Sequence, residues 1–244
     1  MSASLLFLSV AVYFPLHASA QSSHSPVPLD LTRPTSCQTL NSEGSYSNPQ
    51  PGIGQIAVTN RGAVVCSWSV SGAGLFHSQR IRLSFEMLSN VITPGPFGPR
   101  VTASFGLATS APVRIDPDTS AIFPNSTKTT TTTVDCCFLP AFLALESDLW
   151  INPDALSSGD RVTKICQQQF SGFADDNIFH SYTIDLDLTS QTTTWTADGA
   201  VAIESCSSFT FVPTQLVFFA RASDNGNSMI AQIKNVEILP PPMP

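Results

Sequence analysis

Residues 179–199 read FHSYTIDLDLTSQTTTWTADG, and their period decides the fold class. Tyr182, Ile184, Leu186 and Leu188 alternate with Ser181, Thr183, Asp185 and Asp187. Side chains of a strand point to opposite faces in turn, so this spacing describes a strand with one face in a core and one in water. A helix would instead need apolar residues every three or four positions. Thr189-Ser190-Gln191 then breaks the pattern as a turn, and the β-branched run 192–197 around Trp195 forms a second strand. Asp198-Gly199 ends that strand, because Gly tolerates positive φ and Asp caps the backbone at a tight turn.

The same signals extend outward. Ile81, Leu83, Phe85 and Met87 alternate with Arg80, Arg82, Ser84 and Glu86. Residues 62–71 (GAVVCSWSVS), 100–107 and 214–223 (TQLVFFARAS) are rich in β-branched or aromatic residues, and Leu216-Val217-Phe218-Phe219 predicts a strand covered on both faces. Asp224-Asn225-Gly226 supplies another hairpin turn. The one helical candidate is 139–149, which Pro140 limits. With 42% hydrophobic residues the chain has material for a sizeable core. About ten or more such strands in one domain indicate an all-β, antiparallel β-sandwich or jelly roll, here over residues 37–239. Lys and Arg number 11 against 18 Asp and Glu, a formal charge of −7, which excludes the basic surface a nucleic acid requires.

The ends carry the address. Residues 5–16 are apolar except for Ser9, and Ala18-Ser19-Ala20 has the small-x-small pattern of a cleavage site. Residues 1–20 are therefore expected to be a signal peptide, with the chain beginning at Gln21 after cleavage. No Lys or Arg precedes the run, and the alternative is an uncleaved anchor. The run is short for a stable membrane span, which takes about 20 apolar residues. Residues 21–36 are Ser/Pro-rich and predict a linker or poorly ordered arm, and 240–244 (PPPMP) form a Pro-rich tail. An exported, extracellular or cell-wall location favours disulfides among Cys37, Cys66, Cys136, Cys137, Cys166 and Cys206. The expected pairing is Cys37–Cys66, with Cys136 and Cys137 sharing Cys166 and Cys206. The cysteines have no zinc-ligand spacing, so no metal site is assigned to them. Asn125-Ser126-Thr127 is a glycosylation sequon that opens into the threonine run 129–133; the alternative is a polar loop that merely contains it.

Phe179, His180, Tyr182, Ile184, Trp195, Asp198 and Gly199 also resemble a family pattern. Paired strands of concanavalin A-like lectin/glucanase domains, most closely family-16 glycoside hydrolases, read roughly F-H-x-Y-x-I-x-W, a short turn, then I-x-W-x-x-D-G. Leu186 stands where that pattern has its first tryptophan. Residues 230–239 (IAQIKNVEIL) look like the last strand of such domains. The resemblance implies a concanavalin A-like jelly roll with a polysaccharide or glycan as partner.

Retaining glycosidases place two carboxyl groups about 5–5.5 Å apart, a nucleophile and an acid/base. The family carries them as E-x-D-x-E or E-x-D-x-x-E, and the nearest match is Glu146-Ser147-Asp148-Leu149-Trp150-Ile151. By that resemblance Glu146 is the nucleophile and Asp148 its electrostatic neighbour. The acid/base position falls on Trp150 or Ile151, neither of which donates a proton. Asp185 with Asp187 is a second carboxylate pair, or else an ordinary polar strand edge; Glu86 and Glu204 are candidates for a distant partner.

Trp150, Trp195 and Trp68 are candidates to stack on sugar rings, each with core packing as the alternative. His180 is a candidate sugar contact or a hydrogen-bonded strand residue. No catalytic cofactor is called for; Asp224-Asn225-Gly226-Asn227 has the oxygens for a structural calcium, or forms a plain turn. There is no G-x-S-x-G elbow and no phosphate-cradling glycine loop. The expectation is a secreted carbohydrate-binding jelly roll related to β-glucanases, without efficient hydrolysis. The alternatives are an active glycoside hydrolase on β-glucan-like polysaccharide, and a structural or adhesive extracellular protein.

Overall fold

The computed structural model describes residues 26–40, 42–70, 79–96, 100–110, 114–116, 120–122, 127–137, 142–150, 162–171, 177–207, 212–222 and 225–239. For the strands between 114 and 171, and over 200–207, it describes the backbone and its pairing. These residues form seventeen strands and no helix.

One sheet runs in the order β15 (Ala200–Ser207), β14 (Thr192–Ala197), β13 (His180–Asp187), β6 (Arg80–Thr93), β17 (Ser228–Leu239), β4 (Ile53–Thr59) and β3 (Gly44–Ser47). The short β1 (Val27–Pro28) adds to β17, making eight strands. The other sheet has seven, in the order β12 (Val162–Ser171), β11 (Phe142–Trp150), β10 (Thr127–Cys137), β7 (Arg100–Ala108), β16 (Gln215–Ala222), β5 (Ala63–Ser69) and β2 (Ser36–Leu40). A hairpin of β8 (Arg114–Asp116) and β9 (Ser120–Ile122) lies against β5. Every strand pair is antiparallel. The fold is an all-β jelly roll, as the alternation predicts.

The sheets close on a core that the alternating residues build. Phe85 of the eight-stranded sheet meets Phe105 of the other edge-on, with ring centroids 4.7 Å apart. Tyr182 stacks on Phe85 at 5.4 Å, and Phe218 packs against Phe105 at 6.1 Å. Such ring pairs contribute about 0.5–1.5 kcal/mol each beyond the area they bury. Ala63, Val65, Ala108, Val217 and Phe219 form a second buried cluster. These positions alternate with the main-core residues of their strands, so the seven-stranded sheet is apolar on both faces along β5, β7 and β16. The Leu216–Phe219 run is covered on both sides, as expected. Gly62 is required where β5 begins, because a Cβ there would collide with the Glu43 carbonyl.

Four expectations are corrected. Residues 26–36 are not a free arm. Val27 and Pro28 pair with Ile238 and Glu237, and Leu31 enters the core at 3% exposure. Its carbonyl accepts the Tyr46 hydroxyl at 2.6 Å and the Asn48 amide at 3.3 Å. Burial pushes the Tyr46 hydroxyl up to about 12, so it stays a donor at any physiological pH. The helical candidate 139–149 is a strand from Phe142 onward, and the threonine run is not a loop but the body of β10. The fourth correction concerns the cysteines. Cys37 and Cys66 are directly paired and disulfide-bonded, as expected. Cys166 shares a register row with Ser147 and Thr130, six positions along β10 from Cys136, which pairs with Val101. At about 3.3 Å per residue that is a separation of about 20 Å, far beyond disulfide reach, so neither Cys136 nor Cys137 pairs with Cys166. Residues 1–25, Asn125, Asp224 and 240–244 lie outside the described residues, and with them the expected signal peptide, the sequon asparagine and the Pro-rich tail.

Candidate functional site

The residues that carry the family resemblance form a structural clasp in the eight-stranded sheet. His180 Nδ1 lies 2.6 Å from the Asp198 carboxylate, whose other oxygen accepts the Ser181 amide at 2.8 Å. The Asp198 amide in turn donates to the Ser181 carbonyl at 2.8 Å. Asp198 and Gly199 both have positive φ, +47° and +77°, so the tight turn joining β14 to β15 uses the residue pair best suited to it. Phe179 carries Lys234 Nζ 4.0 Å above its ring. Tyr182 lies in the core, and Ile184 sits directly opposite Trp195 with both fully buried.

Trp195 is therefore not a sugar platform, because stacking needs a ring face open to the ligand and this residue is 0% exposed. Trp68 is a core residue too, edge-on to Tyr46 at 5.8 Å. His180 is occupied by Asp198 and stands on a different sheet from Glu146, Asp148 and Trp150.

The other carboxylates have structural partners or lie elsewhere. Asp185 is 8% exposed and forms a two-pronged ion pair with Arg82, at 2.7 and 2.8 Å. That bond raises the Arg82 guanidinium above its ordinary value. Asp187 caps the turn after β13. The Ser190 amide holds its carboxyl below the ordinary value against the opposing effect of burial, and the Thr189 amide, the Ser190 hydroxyl and Arg80 add to the lowering. Asp185 and Asp187 thus serve the fold rather than a reaction. Burial pushes Glu86 upward, but the Asn235 amide at 2.6 Å and the Lys234 ammonium at 3.1 Å outweigh it and hold it low. Glu86 on β6 is thus held by its partners in the eight-stranded sheet, and Glu204 lies on β15, the edge strand of that sheet that borders β11 and β12.

Residues 146–150 lie on β11 of the seven-stranded sheet, where the register brings a polar set together. Glu146 is flanked by Thr131 on β10 and Gln167 on β12. Asp148 is flanked by Thr129 and Lys164, and Trp150 by Thr127 and Val162. The Glu146 row continues through Gly106 to Val217, and the Asp148 row reaches Ala108. Paired residues share a face, so all three rows fall on the side of the second apolar cluster, away from the main core. The β11–β12 register shifts between Ser147 and Asp148, and a bulge of this kind re-aims neighbouring positions. Sequence reasoning finds Glu146, Asp148 and Trp150 but misses Thr129, Thr131, Gln167 and Lys164, whose proximity arises from pairing. Threonines at alternate positions, a strand-forming type, were the available signal.

The Asp224-Asn225-Gly226-Asn227 turn binds its neighbours through its described residues. Asn227 Oδ1 accepts the Gly95 amide at 2.7 Å, and the Gly226 amide donates to Asn60 Oδ1 at 3.1 Å. Among the described residues no helix is long and apolar enough to cross a membrane.

No protein-family model and no curated protein matches this sequence. Solved structures do match. The legume lectin-like domain from Entamoeba histolytica aligns with TM-score 0.59 at 9% identity, covering 87% of this chain and 92% of that one. The carbohydrate recognition domain of Emp47p aligns at 0.54 and 15% identity, covering 90% and 96%. The potassium-bound carbohydrate recognition domain of Emp46p aligns at 0.53 and 9%, covering 83% and 90%. The class of fold is that of the legume-lectin-like, concanavalin A-like jelly rolls.

Proposed function

We propose that this chain is a secreted carbohydrate-binding jelly-roll protein that holds a glycan over β11 without hydrolysing it efficiently. The observation that carries the reading is the register around residues 146–150. It brings two carboxylates, an amide, an ammonium and three threonine hydroxyls into three adjacent rows, with one indole at their end. Carboxylates and amides bind sugar hydroxyls, and an indole stacks on the apolar face of a pyranose. The carbohydrate recognition domains among the structural neighbours support the class of ligand.

Hydrolysis is disfavoured by the same register. The positions flanking Glu146, Asp148 and Trp150 are Thr131, Thr129 and Thr127 on one side and Gln167, Lys164 and Val162 on the other. None is a carboxylic acid, so these rows supply no proton donor to the leaving oxygen. Asp135, on the same face of β10, lies four positions from Thr131, about 13 Å along the strand. General acid catalysis typically contributes about 10²–10⁴-fold, so its loss leaves binding as the main activity.

The test is retention on immobilised β-glucans and a glycan array, paired with reducing-sugar release from laminarin. Wild type is expected to be retained and to release no sugar, and Glu146→Gln to lose retention while keeping its melting temperature. Robust release from laminarin would establish a hydrolase. Failure to retain any glycan would leave the structural or adhesive alternative.

A further inference from the structure

We propose that Cys166 and Cys206 form a disulfide that ties the two sheets together at one edge of the sandwich, with Cys136 and Cys137 outside that bond. Cys166 lies on β12, the edge strand of the seven-stranded sheet, and Cys206 on β15, the edge strand of the other. These two edge strands lie against each other.

Both cysteines also occupy core-facing rows. The Cys166 row passes through Ser147, Thr130, Leu107, Leu216 and Trp68, and the last three are core residues. The Cys206 row passes through Thr193, Leu186 and Ile81, all fully buried. Two core-facing positions on touching edge strands of opposed sheets are where a covalent tie closes a sandwich. Cys137 pairs with Arg100, on the opposite face from Cys136 and its core partner Val101. Successive strand positions belong to opposite faces, so Cys137 occupies a row on the other face of the sheet from the core row of Val101.

Formation of the bond removes two protons and two electrons from the two thiols. A small-molecule or protein disulfide accepts them through a mixed disulfide and is released as its two reduced thiols. The bond lies next to Gln167 and two positions from Lys164, so it also anchors the strand that flanks Glu146 and Asp148.

Cleavage after Asp and Glu separates the cysteines into peptides 136–146, 161–175 and 205–224. In the full chain, exported from an oxidising compartment or refolded with oxidised glutathione, a non-reducing digest is expected to contain 161–175 joined to 205–224. Reduction should release both peptides. Cys166→Ser should expose one new alkylatable thiol, at Cys206, and Cys206→Ser one at Cys166. Either 161–175 or 205–224 joined to 136–146 would overturn the assignment, and so would alkylation of both cysteines in the unreduced wild type. Peptide mapping of the wild type decides the matter even if a serine variant fails to fold.

Discussion

The β13–β14 hairpin and the β10–β12 corner are both paired antiparallel strands rich in threonine, yet one is scaffold and the other is the proposed binding face. In the hairpin every recognisable residue is committed to the fold: His180 to Asp198, Tyr182 to Phe85, Trp195 to the core and Asp187 to its turn. At the corner the polar residues lie in register rows on the face away from the main core, and they come from three strands. A pattern that stands out in a sequence does so because a scaffold constrains many positions at once. A binding face constrains few, and it draws them from different strands.

The two tryptophans give the sharpest contrast. Trp195→Ala empties a fully buried site opposite Ile184 and is expected to cost about 3–5 kcal/mol of stability. Urea unfolding measures this directly. A loss well under 1 kcal/mol would mean that the hairpin is not part of the cooperative core.

Trp150→Ala should behave in the reverse way. If its indole stacks on a sugar, glycan retention should weaken by about 0.5–1.5 kcal/mol while the urea midpoint stays near that of wild type. A stability loss of the size expected for Trp195 would place Trp150 in packing and weaken the binding proposal. Unchanged retention would remove Trp150 from the site while leaving Glu146 and Asp148 to be tested on their own.

Much of the hairpin was legible in advance because its signals are local. Alternation over Ile81–Met87 and Tyr182–Leu188 needs no partner to be read, and Asp198-Gly199 encodes its own turn. The corner was less legible. Residues 142–149 (FLALESDL) lack clean alternation and have a helix-forming composition, and β10 and β12 hold them extended on either side. The docking of 26–36 depends on Tyr46 and Asn48, fifteen and seventeen residues beyond Leu31, so no local period announces it. Cysteine pairing and the environment of each tryptophan depend on register and on which face meets the other sheet. Both are tertiary facts that a strand's own sequence does not contain.

The smallest expected effect is electrostatic and tests the hairpin's turn. Asp187 accepts the Thr189 and Ser190 amides at 2.9 and 3.0 Å, and its carboxyl is held below its ordinary value of 3.8. A carboxyl lowered by folding stabilises the native state above its unfolded value, and that contribution is lost as pH falls through the lowered native value. The group is largely solvated, so screening keeps its contribution small. Asp187→Asn retains an oxygen acceptor for both amides and removes only the charge. The urea midpoint of the variant should therefore fall slightly below wild type between pH 5 and pH 7, and the gap should close as pH drops below 3.8. Glu86 is also held low, but it titrates in both proteins and cancels from the difference. A gap that persists undiminished at the acid end would show that Asp187 acts through its geometry rather than its charge.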